Sequence, residues 1–188
     1  MKRLQILASV AFCVTLPASA EMVSSEIPKD NGAYVTKAMT AAPPAVGKAA
    51  KIIRVNDKFE QTEVLRETQS AWTCGLEPDT GIPYCAEPNA MTWYRAAYSG
   101  KEPPAAPGFI YMMTGDTGTS NHDPAATDKA HWVVTGPHIM LVGAYAKEIG
   151  KALPRTLDPD PTQPYVMYPG HHMEHVMVPV DAPPPKSN

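Results

Sequence analysis

Short apolar runs recur along the chain from residue 51 onward, separated by stretches rich in proline and glycine. Runs of this length with many β-branched and aromatic residues are typical of strands. The pattern predicts strands at residues 51–55, 62–66, 71–74, 109–113, 131–135, 138–142, 165–168 and 175–180.

Two segments predict helices instead. Asn89 can cap a helix over residues 90–99, which has an apolar face and ends at Gly100. A second short helix is predicted over residues 145–153, where Pro154 stops it. Helices and strands do not alternate as a doubly wound fold requires. We therefore expect an α+β fold: one compact, β-dominated domain with an antiparallel or mixed sheet, one or two short helices and many proline-rich loops.

The N-terminus predicts an export signal. A basic pair, Lys2-Arg3, precedes a mostly apolar stretch, and small residues follow at a potential cleavage site after residue 20. The predicted organisation is a signal peptide at 1–20, a polar Ala/Pro-rich arm at 21–50, a single α+β domain at 51–180 and a disordered tail at 181–188. The arm has two interpretations, an ordered segment or disorder near a terminus.

The cysteines agree with export. Cys13 lies in the predicted signal, which leaves Cys74 and Cys85 as a pair in an oxidising compartment, where a disulfide is the default. Two thiolate metal ligands are the alternative, which the long proline-containing spacer disfavours. A soluble periplasmic or secreted protein is expected, because no segment after the signal is apolar enough to span a membrane.

The charge distribution of the chain argues against a nucleic-acid partner. The net charge is −3 and both signs are mixed along the chain, whereas a nucleic-acid-binding protein would carry a basic stripe. The expected partner is therefore a metal ion or a small molecule and not a nucleic acid, and the oligomeric state is left open.

Two His-x-Met pairs, His138-x-Met140 and His175-x-Met177, give the strongest indication of function. Residues two apart on a strand share a face, so each pair presents an imidazole and a thioether side by side. If the two strands pair, four ligands can converge in a set that suits copper. The valines that alternate with the second pair would then be core, and its His/Met face would be a site or a solvated surface.

Two further histidines, His171 and His172, lie just before the second pair and are predicted as auxiliary ligands. The alternative is that buried methionines are core filler and that strand histidines are hydrogen-bonded rather than ligating. The leading hypothesis is an exported small binding protein that takes copper as its cofactor. No catalytic residue is assigned, and an enzyme is the less favoured class.

A metal-free secreted domain that binds a small molecule or an envelope partner is the second hypothesis. The chain has an aromatic population, including Trp93, Tyr94 and Tyr168, part of which can line an apolar pocket.

Acid hydrolysis by Asp116 is the third hypothesis. Asp116-Thr117-Gly118 follows an apolar strand and resembles the Asp-Thr-Gly motif of aspartic proteases. Those enzymes need two carboxylates that share a proton, and the second such string, at Asp79, follows Glu-Pro instead of an apolar strand. A surface loop capped by its own side chains is favoured.

Several strings resemble a group of uncharacterised exported bacterial proteins, and the likeness spans most of the chain after the predicted signal. The strings are Val64-Leu-Arg, Trp72-Thr-Cys, Gly108-Phe-Ile-Tyr-Met, Gly136-Pro-His-Ile-Met, Pro164-Tyr-Val-Met and His175-Val-Met-Val-Pro-Val. The resemblance implies export and a one-domain organisation. It implies no particular activity.

Overall fold

The computed structural model describes residues 26–181, so the predicted signal peptide and the tail beyond residue 181 lie outside the described part. The described chain forms four short helices and ten strands. In chain order these are α1 (Asn31–Met39), α2 (Pro44–Ala49), β1 (Lys51–Val55), β2 (Gln61–Arg66), β3 (Thr73–Leu76), β4 (Pro83–Ala86), α3 (Pro88–Tyr98), β5 (Gly108–Met112), β6 (Thr119–Ser120), β7 (Trp132–Val133), β8 (His138–Val142), α4 (Ala144–Gly150), β9 (Tyr165–Met167) and β10 (His175–Pro179).

Eight strands form one mixed sheet in the order β2-β1-β3-β4-β5-β8-β10-β9. Its neighbouring strands are antiparallel except for β1 and β3, which are parallel. Strands β6 and β7 form a separate two-stranded ribbon. The predicted α+β class with a mixed sheet is confirmed, although the described residues form four helices rather than one or two.

Helix α3 begins differently from the prediction, because Asn89 is not its cap. The carboxylate of Glu87 accepts the backbone N–H groups of Asn89 and Ala90 at 2.9 and 2.8 Å. Pro88 lies in the first turn, where a backbone N–H would have no acceptor within the helix, so proline loses no hydrogen bond there. A carboxylate at this position also interacts favourably with the positive end of the helix dipole.

The two cysteines lie directly opposite each other in the β3–β4 hairpin and form the predicted disulfide. The segment between them was predicted as turn and loop, yet its second part is strand β4. The turn itself is short, because the backbone N–H of Glu77 already donates to the carbonyl of Ile82. By contrast, the predicted strand at 131–135 shortens to Trp132–Val133.

Helices pack against both faces of the sheet and create two cores. On one face, α1 and α2 cover β1, β3 and β4, with Tyr34, Ile52 and the disulfide buried among them. Residues 26–50 are thus packed structure in which two helices form. On the other face, α3 packs on β4 and β5, and its side chains share one buried cluster with residues of β8, β9 and β10. We call these the α1 face and the α3 face. None of the helices within residues 26–181 is long and apolar enough to cross a membrane.

Candidate functional site

The two His-x-Met pairs lie on neighbouring strands and on the same face of the sheet. Strands β8 and β10 are antiparallel, and Met140 lies directly opposite Met177. His138 lies opposite Pro179, whereas His175 lies near the other end of the strand pair. The histidines are therefore offset along the strands by about four residues, or roughly 13 Å. The methionines form the centre of the pair, with one histidine toward each end.

The outer strands add a methionine beside each histidine. On β5, Met112 lies directly opposite His138, and on β9, Met167 lies directly opposite His175. Directly opposite residues of an antiparallel pair have Cβ atoms about 4.5–5.5 Å apart, so each imidazole has a thioether within reach. Neither Met112 nor Met167 was predicted as a site residue. Both lie in predicted strands, but the order of strands that brings them beside the histidines cannot be inferred from the local pattern.

These side chains line one cavity of about 320 Å³ on the α3 face. All four predicted principal ligands belong to its wall, together with side chains from α3 and from the β3–β4 turn. Its sulfur-bearing residues are Met112, Met140, Met167, Met173 and Met177. A thioether is soft and polarisable, so the wall is suited to soft metal ions and to apolar ligands alike.

His138 is buried and holds an unpaired nitrogen at the cavity. Its Nδ1 donates to the carbonyl of Gly136 at 2.7 Å, and this bond places the proton on Nδ1. Its Nε2 is buried and has no hydrogen-bond partner. Burial lowers the pKa of His138 to about 4, so the ring is neutral near pH 7. The free Nε2 therefore presents a lone pair, which is the form in which imidazole binds metals.

His175 is held in a similar way at the other end. Its Nδ1 donates to the carbonyl of Met173 at 2.7 Å, and burial lowers its pKa to about 4. The rings of Trp93 and Tyr168 contact its ring edge-on, with centroids 5.3 and 5.7 Å away. These contacts fix the ring orientation before any ligand arrives.

An ion pair supports the turn that leads into His175. Arg155 donates to both oxygens of Glu174, at 2.9 and 2.7 Å, and Gly170 N–H donates to the same carboxylate at 2.5 Å. The Arg155 guanidinium beside Glu174 lowers the pKa of that carboxyl. Glu174 thus serves to anchor the turn and is not free to act at the cavity.

The expectation that the valines beside the second pair are core holds for Val176 but not for the other two. Val176 is buried, but Val178 is half-buried and Val180 is exposed. By contrast, the His/Met face is the well-buried one, because its methionines share one buried cluster with side chains of α3. Helix α4 packs on the valine side of β8 and β10, where Gly150 lies close to Val176, and the cover does not extend to Val180.

Two buried carboxyl groups also line the cavity. Glu77 accepts from the Thr80 hydroxyl at 2.7 Å and from the Tyr94 hydroxyl at 3.3 Å, and burial raises its pKa to about 7. Burial likewise raises the pKa of Asp116 to about 7. The sequence analysis singled out Asp116 but missed Glu77, since nothing in a Glu-Pro turn indicates that the carboxyl will be buried.

The Asp-Thr-Gly string at Asp116 has a structural explanation. One carboxylate oxygen of Asp116 accepts the backbone N–H groups of Gly118 and Thr135, both at 2.9 Å. Gly118 has φ +90°, and a Cβ at that position would collide with the Trp132 ring. Loop capping and close ring packing account for the motif without a catalytic role.

His171 and His172, the predicted auxiliary ligands, are not part of the cavity wall. Their rings pack against each other with centroids 4.2 Å apart. His171 Nδ1 accepts the backbone N–H of Met173 at 3.2 Å, and His172 lines a separate, smaller cavity. The structure therefore places His138, Met140, His175 and Met177 on one cavity wall and leaves His171 and His172 outside it. The predicted convergence of four ligands is not found, because His138 and His175 lie at opposite ends of the strand pair.

No three or more His, Cys, Asp or Glu side chains in the described part of the chain form a group that could hold a metal ion. A metal at the cavity would have to take thioether sulfur among its ligands, which restricts the candidates to soft ions.

Comparisons with known proteins give no further guide to the site. No family model matches the chain, and no match was found among curated proteins or solved structures.

Proposed function

We propose that this protein is an exported binding protein whose cavity takes a cuprous ion through Met140 and Met177, with the imidazole of either His138 or His175 as a further ligand. The observation that carries this proposal is the buried Nε2 of His138, which has no partner and lines a wall rich in thioether sulfur. A buried polar atom without a partner costs about 1–3 kcal/mol, and a bound ion would remove that cost.

The ligand chemistry supports copper over harder ions. Thioether and imidazole ligands favour Cu(I), whereas Mg²⁺ and Ca²⁺ require oxygen ligands. In both histidines a backbone carbonyl accepts the Nδ1 proton, as is usual for metal-binding imidazoles. An oxidising compartment also makes methionine a more durable sulfur ligand than a free thiol.

The charge of the cavity supports a cation. Its charged lining residues are the acids Glu77, Asp79 and Asp116, and neither lysine nor arginine lines it among the described residues. An ion centred between Met140 and Met177 would approach one imidazole at a time, because the histidines are offset along the strands and metal–nitrogen bonds are only about 2 Å long.

A Met140→Leu, Met177→Leu double variant tests the proposal. Leucine keeps the size and apolar character of methionine, so we expect a stable protein whose Cu(I) affinity falls at least about tenfold, or about 1.4 kcal/mol. Affinity is measured by competition with a chromogenic Cu(I) chelator under anaerobic conditions. Met91→Leu is the matched control, because Met91 is buried in the same core but does not line the cavity. Unchanged affinity in the double variant would reject the proposal.

A small organic cation is the second candidate ligand. The cavity volume of about 320 Å³ is larger than one ion requires and falls at the lower end of small-molecule pockets. Aromatic rings from Trp93, Tyr98 and Tyr168 line it together with the acids, and such walls recognise alkylammonium groups. A rise in Tm with tetramethylammonium that persists in the Met140→Leu, Met177→Leu variant would favour this ligand class over copper.

A further inference from the structure

A single tyrosine joins the buried carboxyl group of Glu77 to the thioether sulfurs. The hydroxyl of Tyr94 lies 3.3 Å from Oε1 of Glu77. The same hydroxyl lies 3.9 Å from Sδ of Met112 and 4.0 Å from Sδ of Met140. The carboxyl group is therefore within about 7 Å of two sulfur atoms, a range at which opposite charges attract each other in a buried site.

The hydroxyl has only one proton to share between these acceptors. When a cation engages the sulfur lone pairs, the sulfurs stop accepting and the Tyr94 proton is left to Glu77. A hydrogen bond donated to a carboxylate favours its ionised form, and a nearby positive charge favours it further. Ion binding and ionisation of Glu77 should thus promote each other.

Among the described residues no cationic side chain acts on Glu77 directly, although Arg95 of α3 acts on the neighbouring Tyr84. The titratable groups that act on it or respond to it come from its own turn, from β4, from α3, from the loop after β5 and from the end of β9. They are Asp79, Tyr84, Tyr94, Tyr98, Asp116 and Tyr168. Burial raises the pKa of each of these tyrosines, so they stay neutral near pH 7.

Resting on the copper-binding function proposed above, we propose that Glu77 is the counter-charge of the bound ion and that Tyr94 couples the two, so that Cu(I) enters as one proton leaves. The exchange balances: neutral Glu77 and Cu(I) give ionised Glu77, bound Cu(I) and a proton released to solvent. Glu77 is a positioning residue in this proposal, since it acts on the ion through Tyr94 and is not a ligand.

Asp116 provides a matched buried carboxyl group in the same cavity. One of its oxygens already accepts the backbone N–H groups of Gly118 and Thr135, and the hydroxyl that reaches the sulfurs in the described part of the chain bonds to Glu77 instead. Asp116→Asn keeps an oxygen acceptor for those N–H groups. This variant removes a buried charge without touching the Tyr94 bridge.

The test is calorimetric titration of the protein with Cu(I) in two buffers of different ionisation enthalpy, which counts the protons released. With the pKa of Glu77 at about 7, we expect release of about half a proton per ion at pH 7 and nearly one at pH 6. Glu77→Gln should still bind Cu(I), at least about tenfold more weakly, with most of the release lost. Asp116→Asn should keep more than half of the release.

Tyr94→Phe is a second variant in case Glu77→Gln does not fold. It should bind Cu(I) and release fewer protons than the wild type. Undiminished proton release in Glu77→Gln, or equal losses in Glu77→Gln and Asp116→Asn, would overturn the coupling. Absence of Cu(I) binding by the wild-type protein would instead reject the proposed function on which the coupling rests.

Discussion

The two faces of the sheet differ in whether their buried polar groups are hydrogen-bonded. On the α1 face, the hydroxyl of Tyr34 donates to the carbonyl of Ile53 and accepts the N–H of Leu76, both at 3.0 Å. On the α3 face, Nε2 of His138 and the hydroxyl of Tyr84 are buried without a partner, and of these two residues His138 lines the cavity. Buried polar groups are normally satisfied, so the α1 face is built for stability, whereas the α3 face is left incomplete in a way that a ligand can complete.

The two faces also differ in how closely their side chains pack. The α1 face is closed by a disulfide and by small residues of α1 and its following turn, such as Ala38, Ala41 and Ala42. The α3 face leaves a cavity of about 320 Å³ between α3 and the sheet. Functional sites commonly cost stability in this way. Three expected results test whether the α1 face determines stability while the α3 face determines binding.

The largest expected effect comes from removing the disulfide on the α1 face. A Cys74→Ser, Cys85→Ser double variant should lower the free energy of unfolding by about 3 kcal/mol, because an unlinked chain regains loop entropy when it unfolds. Urea denaturation measures the loss. Cu(I) affinity of the folded variant should match that of the wild type, and a loss of affinity at unchanged stability would break the comparison between the faces.

A pH-dependent gain is expected from Glu77→Gln on the α3 face. Burial raises the pKa of Glu77 from 4.5 to about 7, so its contribution favours the folded state at pH 4 and is lost as the pH rises through 7. At pH 8 the variant should be more stable than the wild type by about 2–3 kcal/mol, and near pH 4 the two should be nearly equal.

Denaturation curves at pH 4 and pH 8 check this result, with Glu67→Gln as the control. Glu67 is exposed and pairs with Lys51 at the far edge of the sheet, so its substitution should show little pH-dependent difference. A stability gap between Glu77→Gln and the wild type that does not change with pH would contradict the burial of an ionisable Glu77.

The smallest effect is expected from His171→Ala and His172→Ala. Neither residue lines the main cavity, and His171 is only half-buried. Cu(I) affinity should change by less than about twofold in each variant, which is within about 0.4 kcal/mol. A tenfold loss in either variant, measured by chelator competition, would place the binding site at the turn instead of the cavity.

Strand periodicity predicts much of the site but not its surroundings. The period of two correctly places each histidine and its methionine on one face, because side-chain alternation is a local property of the strand. The order β5-β8-β10-β9, which adds Met112 and Met167, depends on long-range pairing that local pattern does not encode. The burial of Glu77 depends on α3 and on the loop after β5, which also lie far from it in sequence.

The fold shows the same division between local and long-range causes. Most strands and helix α3 were predictable from apolar runs and turn residues, with ends displaced by a few positions. Strand β4 was missed because the proline and glycine residues before it are typical of a loop. In the structure, Cys85 of β4 pairs with Cys74 of β3 and is joined to it by the disulfide. Helix α2 was not predicted, because a Pro-Pro pair usually interrupts a helix, whereas here Pro44 begins one.

Anaerobic Cu(I) titration of the wild-type protein against a His138→Ala, His175→Ala double variant tests the central claim most directly. If the His138 and His175 rings supply ligands to a copper site, the wild type should bind Cu(I) and the double variant should lose at least about tenfold in affinity, or about 1.4 kcal/mol. Equal binding by the two proteins would contradict the account.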